Sequence, residues 1–122
     1  MEIIASGKLK KGAYRHAPEV SKQTGFPSAA THYMETPIDL HKELAIHKDA
    51  TFYVRVGSDR WSEFNILKND VLLIDRSLTP NFDDLLLVVQ ESDFKVVRMA
   101  FDRKQEAFTL WGVITYIIHY AR

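Results

Sequence analysis

Apolar side chains occur at regular intervals from residue 50 onward. Phe52, Val54 and Val56 occupy every second position, and this period of two is typical of a half-buried strand. Four further apolar segments are predicted strands: residues 71–75, 85–89, 94–99 and 108–120. The first two of these are continuous apolar runs, and they are short enough to be buried strands more readily than helices. At least five short strands are therefore predicted.

Helical spacing precedes these strands. Ala30 and Met34 lie four residues apart after a Gly- and Pro-containing turn, and Leu40 and Leu44 repeat the same spacing. Pro37 is predicted at the first position of the second helix, where its fixed φ angle is tolerated. One or two short N-terminal helices followed by five or more strands predict a mainly β domain, closed by antiparallel pairing.

The segment before this domain is basic and lacks a regular apolar pattern. Residues 1–24 show little apolar periodicity, so we predict a flexible N-terminal arm, followed by a β domain over residues 25–122. The cations of the arm are Lys8, Lys10, Lys11 and Arg15. They could bind a nucleic acid or a partner, although a solubilising terminus is the favoured interpretation.

Composition narrows the classes of function. Sixteen Lys and Arg residues balance sixteen Asp and Glu residues over 122 residues, which argues against direct, specific binding of nucleic acid. The absence of cysteine excludes disulfides and thiolate metal sites and is compatible with the cytoplasm. No apolar run is long enough for a secretory signal or a membrane span. The five histidines lack metal-site spacing, so no metal or cofactor is predicted.

Four segments in order resemble one peptidase family. They are Gly-Phe-Pro-Ser-Ala-Ala at 25–30, Thr-Phe-Tyr-Val-Arg-Val at 51–56, the run at 70–78, and Trp-Gly-Val-Ile-Thr-Tyr at 111–116. Together they resemble the UmuD branch of the LexA/UmuD self-cleaving serine–lysine peptidases over about residues 24–120. The resemblance implies the curled antiparallel sheet of the family's C-terminal domain, shortened here because the connection at 102–107 is brief. It also implies a cleavage position between Thr24 and Gly25.

The resemblance further implies a serine nucleophile and an unprotonated lysine base. The turn at 57–61 places Arg60 at the nucleophile position, and the segment at 93–98 places Val97 at the base position. Arginine keeps its proton at physiological pH and valine has none to exchange. We therefore expect that the family's self-cleavage reaction is lost, and that no catalytic residue is intact.

Ser58 and Lys95 offer an alternative peptidase site. Each lies two residues before the expected position, which keeps a strand residue on the same face but moves it by about 6.5 Å. A nucleophile and its base must lie within ~3 Å, so solvated side chains are the favoured interpretation. Trp61 and Phe64, beside the nucleophile position, could fill the former cleft or form a contact patch, and filling is preferred.

The resemblance implies a binding role in the DNA-damage (SOS) response. The implied partners are a second copy of the chain or an active UmuD-type subunit, a Y-family error-prone DNA polymerase, and the RecA filament. Four residues of the last strand would then belong to a dimer seam, whereas on sequence alone they belong to the core, and both can hold because successive residues point to opposite faces: Tyr116, Ile117, Ile118 and Tyr120. A third possibility is a small β domain with an unrelated binding role.

Overall fold

The computed structural model describes residues 3–11, 37–100 and 108–122. These residues form one six-stranded antiparallel sheet in the order β1-β2-β3-β6-β4-β5. The strands are β1 (Ile3–Lys8), β2 (Thr51–Val56), β3 (Val71–Asp75), β4 (Leu85–Gln90), β5 (Asp93–Arg98) and β6 (Thr109–Ile118). The prediction of a mainly β, antiparallel domain is confirmed.

Helix is scarce in the described part of the chain. A single turn of helix, α1 (Leu40–Leu44), precedes β2, and 3-10 turns occur at Lys48–Ala50 and Ser62–Phe64. The prediction that Pro37 starts this helix is wrong: Asp39 is the N-cap, because its carboxylate accepts a hydrogen bond from the Lys42 N–H at 3.2 Å. The helix predicted around Ala30 lies outside the described residues. No described helix has the length and apolar character needed to cross a bilayer.

The sheet curls around its main core. Buried side chains from five strands meet in one cluster: Val54, Val56, Leu72, Ile74, Leu87, Val96 and Ile114, together with Trp61 and Ile66 from the loop after β2. Strands β2 and β5 are separated by three strands in the sheet, so their side chains share a cluster only because the sheet is strongly curled. Leu86, Val88 and Val113 form a second cluster.

Two bulges set the orientation of β6. Leu73 pairs with Tyr116 and Ile74 with Ile114, so Thr115 is an extra residue on β6. Trp111 is skipped in the same way on the side that pairs with β4. As a result, Trp111, Ile114 and Ile117 pack against the main core although they lie three residues apart. A strand without bulges would direct alternate residues to one face.

Part of the predicted arm is a strand. Ile3–Lys8 pair antiparallel with β2, and the Leu9 N–H continues this pairing by donating to the Thr51 carbonyl at 2.9 Å. The expectation of a loosely packed arm therefore does not hold for these six residues, whose backbone groups gain partners on β2. Residues 12–36 lie outside the described part of the chain, so the domain boundary at Gly25 stays a prediction.

Candidate functional site

The loop after β2 carries Arg60, the residue at the expected nucleophile position. The Asp59 carboxylate accepts the Lys68 N–H at 2.8 Å, and the Asp59 carbonyl accepts the Ser62 N–H at 3.1 Å. The Arg60 N–H donates to the Ser58 hydroxyl oxygen at 3.3 Å, and Arg60 is exposed. Hydrogen bonds across the loop thus fix its backbone, with Asp59 at the centre.

Two aromatic side chains anchor this loop to the interior. Trp61 is 4% exposed and belongs to the main core, and Phe64 packs against the same cluster. Both fill interior space, which favours the preferred interpretation over an exposed contact patch. The guanidinium of Arg98, on β5, lies 5.7 Å from the centre of the Phe64 ring. This contact brings the end of β5 against the loop that carries Arg60.

Val97, at the expected base position, precedes Arg98 on β5. It pairs with Leu86 across the β4–β5 ladder and packs, half-buried, against the second cluster. Val96, one residue earlier, points into the main core, as expected for the alternation of a strand. The backbones of β5 and the Arg60 loop are therefore neighbours, but the Val97 side chain faces the second cluster.

Ser58 and Lys95 have separate partners. The Ser58 hydroxyl oxygen accepts the Arg60 N–H of its own loop, whereas the Lys95 Nζ donates to Gln90 Oε1 at 3.1 Å within the β4–β5 hairpin. The structure does not join this hydroxyl and this amine by a hydrogen bond. Thr24 and Gly25, at the expected cleavage position, lie outside the described residues.

A buried carboxylate that the sequence did not identify lies at the end of β3. Asp75 is 4% exposed, and its Oδ2 lies 2.6 Å from His47 Nδ1. Its Oδ1 accepts the Ser77 hydroxyl at 2.6 Å and the Ser77 N–H at 2.8 Å. Burial alone would raise the pKa of Asp75, but the hydrogen bonds from Ser77 and His47 outweigh it, so this pKa lies below its usual value.

The order of these three groups decides what they can do chemically. In a serine hydrolase the imidazole lies between the hydroxyl and the carboxylate, and it takes the hydroxyl proton. Here the Asp75 carboxylate lies between Ser77 and His47, so both side chains bind the acid. The arrangement satisfies a buried charge and is not that of an activated nucleophile. Within the described residues, no group of three His, Asp or Glu side chains could hold a metal ion.

A second His–Asp pair lies at the other end of β3. Asp70, 2% exposed, accepts the Leu67 N–H with Oδ2 at 2.9 Å and has Oδ1 2.7 Å from His119 Nδ1. Asp70 and Asp75 thus lie at the two ends of the apolar run of β3. Acids next to a buried run are themselves buried, and a buried carboxylate needs a partner, so the sequence did indicate that each acid would have one. The two histidines could not be identified as partners, because His119 is 49 residues from Asp70 and His47 is 28 residues from Asp75.

Comparison with known proteins gives a consistent set of relatives. No model of a known protein family matches the chain. The chain is 27% identical to Protein ImpA of Salmonella typhimurium over an alignment of 116 residues, and the match covers 82% of this chain and 80% of the relative. It is 28% identical to Protein MucA of Escherichia coli over 110 residues, 75% of each chain. It is 27% identical to Protein SamA of Salmonella typhimurium strain LT2 over 112 residues, 80% of each chain.

Proposed function

We propose that this UmuD-like protein, whose function is related to SOS mutagenesis, acts by binding other proteins and has no serine–lysine peptidase activity of its own. The observation that carries the proposal is the pair of substitutions at the expected catalytic positions, Arg60 and Val97. A peptidase of this kind needs a hydroxyl nucleophile and a neutral amine. Neither residue can supply either group at any physiological pH.

The surroundings of both residues are consistent with a binding protein. Arg60 is exposed on a loop held by Asp59 and Trp61. Val97, like Met99 and Phe108, packs against the second cluster. An apolar side chain at that place contributes roughly 1.5–3 kcal/mol of burial when fully enclosed, and somewhat less when half-buried. The residue at the expected base position thus contributes to packing.

The partners are proposed by resemblance. They are a second copy of the chain or an active UmuD-type subunit, a Y-family error-prone DNA polymerase and the RecA filament, all met in the cytoplasm. In such a complex an active subunit could cut this chain between Thr24 and Gly25. For the homodimer, Tyr116 and Tyr120 are the proposed contacts, and they are 38% and 74% exposed.

A self-cleavage assay tests the loss of activity. The purified chain is held at alkaline pH, alone and with activated RecA filaments, and its intact mass is followed over days. We expect the mass to stay that of the full chain in both conditions. Mixing with an active UmuD-type subunit is the positive control, because cleavage supplied by that subunit would show that the Thr24–Gly25 bond is accessible. A fragment beginning at Gly25 in the absence of the active subunit would contradict the proposal.

The second candidate function is a peptidase that uses Ser58 and Lys95. If the assay gives a fragment, Ser58→Ala and Lys95→Ala variants separate this candidate from a contaminating protease. Loss of the fragment in both variants would establish the rearranged site. The partners that Ser58 and Lys95 have in the structure, the Arg60 N–H and Gln90, favour the binding role.

A further inference from the structure

Basic side chains gather where β1 ends near α1. They surround a cavity of about 390 Å³, which we name the Lys10 pocket; it is lined by Lys8, Lys10, Lys11, His41 and Lys48, with Leu9 and Asp49. Three of these cations come from the segment predicted as a loose arm, and Lys48 comes from the 3-10 turn before β2. The sequence places Lys8, Lys10 and Lys11 close together, and the fold adds Lys48 to them, so the positive charge at this pocket is higher than the sequence indicates.

An apolar cavity adjoins the Lys10 pocket and shares part of its wall. This cavity of about 380 Å³, the Leu44 groove, lies between α1 and the face of the sheet opposite the main core. Its apolar lining includes Leu40, Leu44, Tyr53, Leu73 and Ile118. Leu9, Lys10, Lys11 and His41 line both cavities. A volume of this size accommodates one or two large apolar side chains.

The charge around the two cavities is only partly neutralised. Lys11 lies 3.1 Å from Asp39, and Lys8 lies 3.8 Å from Asp49. Within the described residues, no carboxylate forms an ion pair with Lys10 or Lys48. The cavities carry five Lys or Arg side chains and two Asp side chains, which leaves a net charge of +3: Lys8, Lys10, Lys11, Lys48 and Arg55 against Asp39 and Asp49. The whole chain is neutral, so this excess is a local feature.

We propose that the Lys10 pocket and the Leu44 groove form one docking site for an acidic peptide segment of a partner protein. Its carboxylates would lie against Lys10 and Lys48, and an apolar side chain would enter the groove beside Leu40. Charge complementarity of this kind selects partners and speeds their association. The site does not depend on whether the chain has peptidase activity, so it can fail or hold independently of the proposed function.

Two other occupants fit the charge pattern less well. Single-stranded nucleic acid is bound along a continuous track of cations, whereas here four of the five Lys and Arg side chains line the Lys10 pocket, beside an apolar groove. The chain's own residues 12–36 contain Arg15 and Lys22 against Glu19 and Glu35, so they have no negative excess to offer. A segment with both carboxylates and apolar side chains, from another protein, matches both halves of the site.

Fluorescence anisotropy with a designed probe tests the site on the full chain. The probe is a labelled twelve-residue peptide with a central Leu and Phe flanked by four Glu residues. We expect micromolar binding that weakens as salt is added, since exposed charge pairs are screened. A Lys10→Glu/Lys48→Glu variant should bind roughly tenfold more weakly, because each change replaces an attraction by a repulsion. Leu40→Ser should also weaken binding, and Leu40 is 64% exposed, so this change leaves the core intact.

Matched control variants distinguish binding at this site from non-specific binding of the probe. Lys68→Glu and Leu78→Ser change a charge and an exposed apolar residue elsewhere on the surface, and both should bind the probe as the original chain does. Probes with Gln in place of Glu, or Ser in place of Leu and Phe, should bind weakly. Absence of probe binding, which is also the result if residues 12–36 cover the groove, would overturn the proposal. Tighter binding of a twelve-nucleotide oligothymidylate through Lys10 and Lys48 would overturn it as well.

Discussion

His119 Nδ1 lies 2.7 Å from Oδ1 of Asp70, and the two side chains differ greatly in exposure, 52% for the histidine and 2% for the acid. Water can replace the half-exposed imidazole, but nothing replaces the Asp70 carboxylate, which also accepts the Leu67 N–H. We expect His119→Ala to lower the free energy of unfolding by less than about 1 kcal/mol and Asp70→Ala by about 2–3 kcal/mol. Urea unfolding measures both. Equal losses of unfolding free energy in the two variants would contradict this expectation, because they would show that water does not replace the exposed imidazole.

Asp75 should make stability depend on pH in the acidic range. Its pKa in the folded chain lies below the unfolded value of about 3.9, so its contribution is present above that pH and is lost as pH falls through the lower, folded pKa. We expect Asp75→Asn to lower the free energy of unfolding by roughly 1–3 kcal/mol at pH 7, with a smaller difference from the original chain near pH 2.

Urea midpoints for the two chains between pH 7 and pH 2 check this expectation. Asp49→Asn is the matched control, because its side chain is 89% exposed and its removal should change little at any pH. A difference between Asp75→Asn and the original chain that stays constant down to pH 2 would contradict the assignment of the titration to Asp75.

Gly112 is required by the close approach of β3 to β6. A Cβ atom at this position would lie 2.3 Å from Ile74 Cγ2, a methyl group in the main core. We expect Gly112→Ala to lower the free energy of unfolding by about 1–3 kcal/mol, as overpacking does in other cores. Gly7→Ala is the control, since its Cβ would lie 3.1 Å from the Tyr53 ring, which can move. Thermal unfolding that ranked the two variants in the opposite order would contradict this reasoning.

The turn between β4 and β5 uses unfavourable residues. Gln90 pairs with Asp93, which leaves Glu91 and Ser92 as a two-residue loop with φ angles of 54° and 66°. Positive φ at both positions favours Asn-Gly in such hairpins. We therefore expect Glu91→Asn/Ser92→Gly to raise the free energy of unfolding by about 1 kcal/mol. Ser92→Pro, which cannot adopt positive φ, should lower it, and the opposite result in urea unfolding for either variant would show that the turn adopts another conformation.

The proposed homodimer gives a prediction for the end of β6. Tyr116→Ser/Tyr120→Ser should raise the dimer dissociation constant by at least roughly tenfold, because exposed tyrosines at a seam contribute most of its binding energy. Sedimentation velocity over a range of concentrations measures this change. Ile46→Ser, which alters a residue that is 73% exposed and precedes β2, should leave the constant unchanged. A chain that sediments as a monomer at all concentrations would contradict the homodimer.

The elements that were predictable are those with a local signal. The continuous apolar runs identified β3 and β4, and alternation identified β2. Strand β1 was missed because it lies at the edge of the sheet and four of its six residues are exposed, so it has little apolar pattern of its own. The bulges of β6 were also hidden, since they depend on its register with two strands distant in sequence.

For the candidate site, too, the assignments that depend on local sequence differ from the contacts that depend on the whole fold. The order and spacing of short segments assign Arg60 and Val97 to the expected catalytic positions by resemblance, and this assignment stays a prediction. The partners of Ser58 and Lys95, and the link between Phe64 and Arg98, depend on how the loop meets β5. Contacts of this kind are decided by the curl of the whole sheet, which no local pattern encodes.

Strand β6 leaves the ribosome after every strand that it joins, although it lies between β3 and β4 in the sheet. Until residues 109–118 have emerged, the described strands can form only two separate pieces, β1-β2-β3 and β4-β5, each with an open hydrogen-bonding edge. Such edges pair readily with other chains. Synthesis of this protein therefore passes through a stage in which its two halves depend on rapid completion of the chain, or on a chaperone, to avoid aggregation.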